Sequence, residues 1–308
     1  MAPINPSRNL FRRTLDDLVA HRHAFDNLDA DPNAPTYAWV EIDPYHGGSG
    51  TNVGLTDYGY EDDDTQTVPL PFTFRYHGQD FDEISICSNG WVAFGPTTLK
   101  GIHNWSLPYP GIPNPLLAVF WDNLQQSGTN RVYQWHDAAG GRYIVQWSRM
   151  RNRANGTQNC EVILYDPAQH PTLTGDGLIV FQYNQVANND SSRNYATTGI
   201  QNPDGSEGIT YTYYADYAPG ARTLQAGRAI AWVALPQTTA DAAVATPEML
   251  TFELDPGGQE LQSVQLAATG APGSVLSYSI ARIDGGAPAP RLPADESAKQ
   301  LPGVTVTA

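Results

Sequence analysis

The sequence predicts an all-β protein: an antiparallel β-sandwich of about twelve strands, preceded by a short N-terminal helix and followed by a smaller, incomplete immunoglobulin-like β-unit. Three observations carry this prediction. Between Thr36 and Leu235 short apolar or alternating runs are each closed by a Gly, Pro, Asn or Asp turn signal, the rhythm of a sandwich or barrel. Alternation is two-residue: in "RYIVQW", Tyr143, Val145 and Trp147 share one face, and Arg142, Ile144 and Gln146 share the other. The composition is also that of a turn-rich strand protein, with 28 Gly, 24 Pro and 16 Tyr in 308 residues and 16% charged side chains.

Taken in order, Asn9 to Arg22 ("NLFRRTLDDLVAHR") spaces Leu10, Phe11, Leu15, Leu18 and Val19 as one helical face. "DNLDADPNAP" (26–35) then breaks regular structure and sets a boundary at residue 35. The sandwich follows over 36–235. Its expected strands are "YAWVEI", "VPLPFTFRYHG", "EISICS", "WVAFG", "LLAVFWDNL", "RVYQWHD", "RYIVQWSRM", "CEVILYD", "LIVFQYNQV", "ATTGIQ", "GITYTYY" and "AIAWVAL". So many strands pack better as two sheets than as one open sheet. Asn89-Gly90 is placed to close a type I′ hairpin, whose positive φ angles these two residues tolerate best. A Pro/Ala/Thr linker spans 236–248, and the unit at 249–308 holds strands joined at Pro256-Gly257-Gly258 and Pro272-Gly273, ending in "GVTVTA". That is about four strands against the seven of an immunoglobulin sandwich, so an apolar face and an edge need covering.

Charge narrows the partners. Thirty-two acidic against seventeen basic residues give a net −15, which repels phosphate backbones and anionic membrane surfaces and excludes nucleic acid and lipid. No run of eighteen apolar residues is present to insert in a membrane, and "MAPINPSRNLFRR" lacks the apolar core of a signal peptide. The chain is therefore expected to be intracellular or a mature or excised segment.

A resemblance rests on five blocks in order: "PTYAWVEI"; "LPFTFRYHGQDFDEISICSNGWVAFG"; "PNPLLAVFWDNL" with "GTNRVYQW"; "GRYIVQWSRM" with "CEVILYD"; and "LIVFQYNQV" with "TTGIQNPDGSEGITY". Together they resemble a β-sandwich module of large secreted bacterial peptidases and surface proteins exported by Bacteroidetes-type sorting, and more distantly the nidogen-like domain. The C-terminal segment resembles the first half of an immunoglobulin-like repeat. The resemblance implies a non-catalytic, extracellular or cell-surface module and supplies no catalytic residue.

The residues themselves offer few chemistries. No G-x-S-x-G elbow occurs, and His21 and His23, two apart on the expected helix, do not share a face to hold a metal. Asp62, Asp63 and Asp64 in "YEDDDTQ" offer oxygens to calcium, as do Asp204 and Glu207 in "NPDGSEG", but solvated turns explain both stretches as well. No other cofactor is expected. Cys87 and Cys160 are too far apart in sequence for a metal motif; both lie in expected strands, leaving a disulfide or two buried thiols open. Sugar faces stack on exposed aromatic rings; most of the seven tryptophans alternate into strands, whereas Trp105, in the loop "HNWSLPYPGIP", is the candidate for ligand stacking. Asn104, Asn155 and Asn189 head glycosylation sequons.

The function expected is that of a structural or adhesive module whose partners are other protein chains, copies of itself included, joined by strand complementation at "GVTVTA" or the N-terminal segment. The alternative is an accessory domain binding carbohydrate or peptide for a secreted hydrolase.

Overall fold

The computed structural model describes residues 21–59, 62–101, 103–113, 115–235, 243–246 and 265–268. The chain divides into two units, 1–236 and 237–308. The first is built from β1 (His21–Asp26), β2 (Thr51–Asn52), β3 (Thr65–Tyr76), β4 (Gln79–Cys87), β5 (Trp91–Phe94), β6 (Leu116–Trp121), β7 (Leu124–Gln125), β8 (Val132–Asp137), β9 (Arg142–Asn152), β10 (Thr157–Tyr165), β11 (Ile179–Gln185), β12 (Thr197–Gln201), β13 (Gly208–Tyr213), β14 (Asp216–Tyr217) and β15 (Arg228–Leu235). In the second, β16 (Ala243–Thr246) pairs antiparallel with β17 (Gln265–Ala268). The remaining strands expected there, and "GVTVTA", lie outside the described residues.

Two antiparallel sheets make the sandwich. The first runs β1-β15-β11-β10-β9-β8-β2, with β7 on β9, and the second runs β14-β13-β12-β6-β5-β4-β3. Alternation builds the core between them. Val145, Trp147, Val162, Leu164, Phe181, Ile230 and Trp232 from the first sheet meet Phe74, Tyr76, Ile84, Ile86, Val92, Leu117 and Val119 from the second. Edge strand β3 carries Pro69 and Pro71, and its pairing with β4 shifts register between Pro69 and Phe74. Proline lacks the N–H a ladder needs, so it is tolerated at such an edge.

Three expectations change. The N-terminal helix is expected to reach Arg22, but His21 and Arg22 begin an edge strand paired with β15 (His21↔Leu235, Arg22↔Ala234), and the rest of that expected helix lies outside the described residues. The "YAWVEI" run joins no ladder. It is an extended strap across the outer face of the first sheet, its N–H groups at Ala38, Val40 and Ile42 donating to Gln182, Glu161 and Gln146. Finally, Cys87 pairs with Trp91, so Ser88–Gly90 is a three-residue connection in which Gly90 (φ 78°) is left-handed and Asn89 is not. A three-residue loop ending in a left-handed glycine replaces the expected type I′ turn.

Candidate functional site

A second strap, residues 96–101 and 103–113, covers the outer face of the second sheet. It is pinned along its length: Trp121 Nε1 donates to Gly101 O (2.6 Å), Leu107 N to Thr210 Oγ1 (2.8 Å) and Tyr109 N to Gln201 Oε1 (2.6 Å). Beneath it Trp91, Ala93, Leu107, Ile112, Leu116, Ala118 and Trp121 form an outer apolar cluster. Trp105 sits where this strap crosses β12, its carbonyl accepting from Thr197 Oγ1 (3.0 Å). Its backbone is thereby fixed while its ring stays 49% exposed. Trp91, Trp121, Trp147 and Trp232 are, by contrast, fully buried.

Trp105 is part of a ledge. Its ring stacks on Tyr109 (centroids 5.9 Å apart, 30° between planes) and leans on Tyr213 (5.8 Å, 40°). Tyr213 touches Tyr214 (6.1 Å), and Tyr214 meets Tyr195 edge to face (6.2 Å, 87°). Tyr214 is 61% exposed. Both Tyr195 (φ 58°) and Tyr214 (φ 57°) have left-handed backbones, each beside a second such residue, Asn194 and Ala215. Bulky side chains rarely adopt that conformation, and strain of this kind persists where the surroundings over-determine it. Burial and the neighbouring Tyr214 hold the Tyr213 hydroxyl above its ordinary pKa, so it stays a neutral phenol. Chemically it is a row of flat rings with hydroxyl tips, suited to stacking and hydrogen bonding. The sequence marks Trp105, but Tyr109, Tyr195, Tyr213 and Tyr214 join through strap and turn geometry that no local pattern announces.

The acidic run divides into residues with different surroundings. Asp62, Asp63 and Asp64 do not act as one ligand set: their carboxylates have separate surroundings, and among the described residues no three His, Cys, Asp or Glu side chains meet to hold a metal. Asp64 is structural. It accepts from Thr56 N (2.9 Å) and Thr65 N (2.8 Å), and despite partial burial these bonds, with those from Gln66 and the Thr56 hydroxyl, hold its carboxylate below its ordinary range. Buried Asp63 accepts from Asn89 Nδ2 at 2.8 Å, whereas Asp62 is exposed. The pattern missed Asp57. This fully buried residue is pushed up to about 6, first by burial and then by Asp63 and Asp62, with the Ser88 hydroxyl and Gly59 amide opposing. Asp204 caps its own turn, accepting from Ser206 N (2.9 Å).

Of the two states left open for Cys87 and Cys160, the structure has two free, buried thiols. Cys87 faces the outer cluster of the second sheet and Cys160 the inner core, on opposite sides of that sheet. Cys87 Sγ donates to Lys100 O (3.1 Å), and burial pushes its thiol up to about 12 and that of Cys160 higher still. Neither is a ready nucleophile. Among the sequons Asn155 and Asn189 are exposed; Asn104 is buried, its Nδ2 donating to Tyr195 O and Thr197 Oγ1.

No helix among the described residues is long and apolar enough to cross a membrane. No curated protein and no solved structure matches the chain. A family model described as NIDO related matches residues 33–231, which spans both straps and well over half of the sequence. This all-β sandwich, with each outer face strapped, therefore belongs to the NIDO-related family.

Proposed function

We propose that this chain is a non-catalytic recognition module of an exported or surface-displayed protein, and that it binds carbohydrate by stacking sugar rings on Trp105, Tyr109 and Tyr213. The carrying observation is that Trp105 is half exposed yet fixed, its carbonyl held by Thr197 and its ring braced by two tyrosines. A ring ordered before binding loses little entropy when a ligand arrives, and an exposed aromatic cluster otherwise only costs solubility. Membership of the NIDO-related family supports the extracellular setting. The buried, hard-to-ionise thiols support a non-catalytic role, as accessory to a catalytic or adhesive partner in a larger bacterial secreted protein. The test is a glycan array on the purified chain, followed by calorimetric titration of any hit into the chain and into Trp105→Ala. Binding that falls at least about tenfold with an unchanged melting temperature supports the reading; an empty array, or binding indifferent to the substitution, removes it.

A second reading, self-association by strand addition, draws on β1, a six-residue strand at the open edge of the first sheet. Its proposed donor is the 303–308 segment of another copy. Sedimentation of the full chain and of a chain ending at residue 302 tests it. A monomer at every concentration, or an assembly indifferent to the truncation, rules it out.

A further inference from the structure

We propose that the buried centre around Asp57 is a calcium site, formed by the carboxylates of Asp57 and Asp63 and the side-chain oxygen of Gln126, with the exposed Asp62 beside it. It lies where residues 55–59 and 62–64 meet the Ser88–Gly90 turn and the chain from Leu124 to Gln126, at the end of β7. Asp57 O accepts from Gln126 N (3.3 Å), Leu55 O from Gln126 Nε2 (2.8 Å), Asp64 O from Ser88 N (3.0 Å) and Asn89 Oδ1 from Leu124 N (3.0 Å), so three pieces of chain are tied around one point.

Orphaned oxygens carry the inference. Asp57 is 0% exposed, and neither of its carboxylate oxygens has a hydrogen-bond partner; the Ser88 hydroxyl and Gly59 amide are its neighbours but do not reach bonding geometry. Gln126 is 2% exposed, and with its Nε2 bound to Leu55, its Oε1 is likewise left without a donor. Gln126 is uncharged, so its unmet acceptor is independent of the acidic composition of the loop. Buried acceptors are almost always satisfied, and a buried carboxylate without a partner is costly. Arg131, the neighbouring cation, stacks on the Tyr58 ring at 5.1 Å instead of pairing with Asp57. A bound cation answers all three orphaned oxygens at once.

Donor chemistry selects the ion. The donors are carboxylate and amide oxygens; Cys87, close by, has its thiol committed to Lys100 O. Fewer than three carboxylates converge, which leaves coordination to be completed by neutral oxygens and water. Calcium accepts such mixed and irregular oxygen shells, whereas zinc wants nitrogen or sulfur and magnesium a near-ideal octahedron.

The full chain, stripped with EDTA, is melted with and without millimolar calcium chloride, and in parallel with magnesium chloride. Calcium is expected to raise the melting temperature by about 5 °C or more and magnesium by less. Asp57→Asn removes the unpaired charge, so it should melt no lower than the parent in EDTA while losing the calcium shift. Asp62→Asn, exposed beside the site, should fold normally and need several-fold more calcium for half the shift. Asp64→Asn should lower the melting temperature equally with and without calcium. No calcium shift in the parent, or an undiminished shift in Asp57→Asn, overturns the proposal.

Discussion

Gln182 Nε2 donates to Glu161 Oε1 at 2.8 Å across β11 and β10, on the outer face of a sheet where both side chains are buried. Gln146 sits opposite Glu161 on β9, so the three form one cross-strand row. The row acts as the missing neighbour of the 36–43 strap: Ala38 N binds Gln182 Oε1 (2.6 Å), Val40 N binds Glu161 Oε1 (3.3 Å) and Ile42 N binds Gln146 Oε1 (2.9 Å). Side chains thus satisfy alternate backbone donors that no strand reaches. Glu161→Ala strands Val40 N and leaves Gln182 Nε2 with only its bond to Ala38 O (2.9 Å), so urea denaturation at pH 4 should show a loss of about 1 to 3 kcal/mol. Burial raises the Glu161 pKa well above its ordinary value. Its contribution is therefore fully present below the unfolded-state pKa of about 4.3 and is lost as pH rises through the folded-state value. Glu161→Gln keeps the acceptor without the titration, so its stability relative to the parent should increase with pH over that window. A difference constant with pH would contradict this assignment.

How much of this was legible depends on the distance over which the signal acts. The alternation of Tyr143, Val145 and Trp147 names a core face because it is local, and those side chains are in the core. "YAWVEI" has the same alternation but forms a strap. Its partners Gln146, Glu161 and Gln182 lie over a hundred residues away, and a polar residue in an apolar strand reads equally as a surface position. The site shows the same division. Trp105 stands out because it interrupts a Pro/Gly loop, whereas Asp57 is one aspartate among many until the turn at Ser88 and the chain at Gln126 close over it.

Gly90 tests how tightly the hairpin loop is built into the sandwich. A Cβ there would lie 1.9 Å from Phe120 O, and its φ of 78° disfavours any side chain. Val119 N and Phe120 N also both donate to Gly90 O (3.0 Å each), so the two backbones cannot separate cheaply. Gly90→Ala should cost more than about 3 kcal/mol or yield insoluble protein. Gly95 has a similar φ of 80°, but a methyl group added there would meet nothing within 4 Å, so Gly95→Ala should cost only about 1 kcal/mol. Equal losses in the two variants would show that backbone strain, and not the Phe120 clash, governs both.

The two thiols make a separate prediction. Because Cys87 and Cys160 are buried, unpaired and hard to ionise, a thiol reagent should label neither in native buffer at pH 8. In denaturant without reductant, intact mass should show two labels. A mass two hydrogens lighter and free of label would instead establish the disulfide.

Tyr214 and Ala215 separate strain from recognition. Both hold left-handed φ of 57° in the turn joining β13 to β14, where Tyr213 pairs with Asp216. A non-glycine residue pays about 1 kcal/mol for that conformation, so Ala215→Gly should raise the melting temperature while leaving the rings in place. Tyr214→Gly relieves the same strain but deletes an exposed ring that braces Tyr213. If the turn is strained in order to present that ring, both variants should be as stable as the parent or more so, and only Tyr214→Gly should weaken binding to the ledge, by about three- to tenfold. Weaker binding in Ala215→Gly as well would mean that the rigidity of the turn, and not the Tyr214 ring, is what the ligand reads.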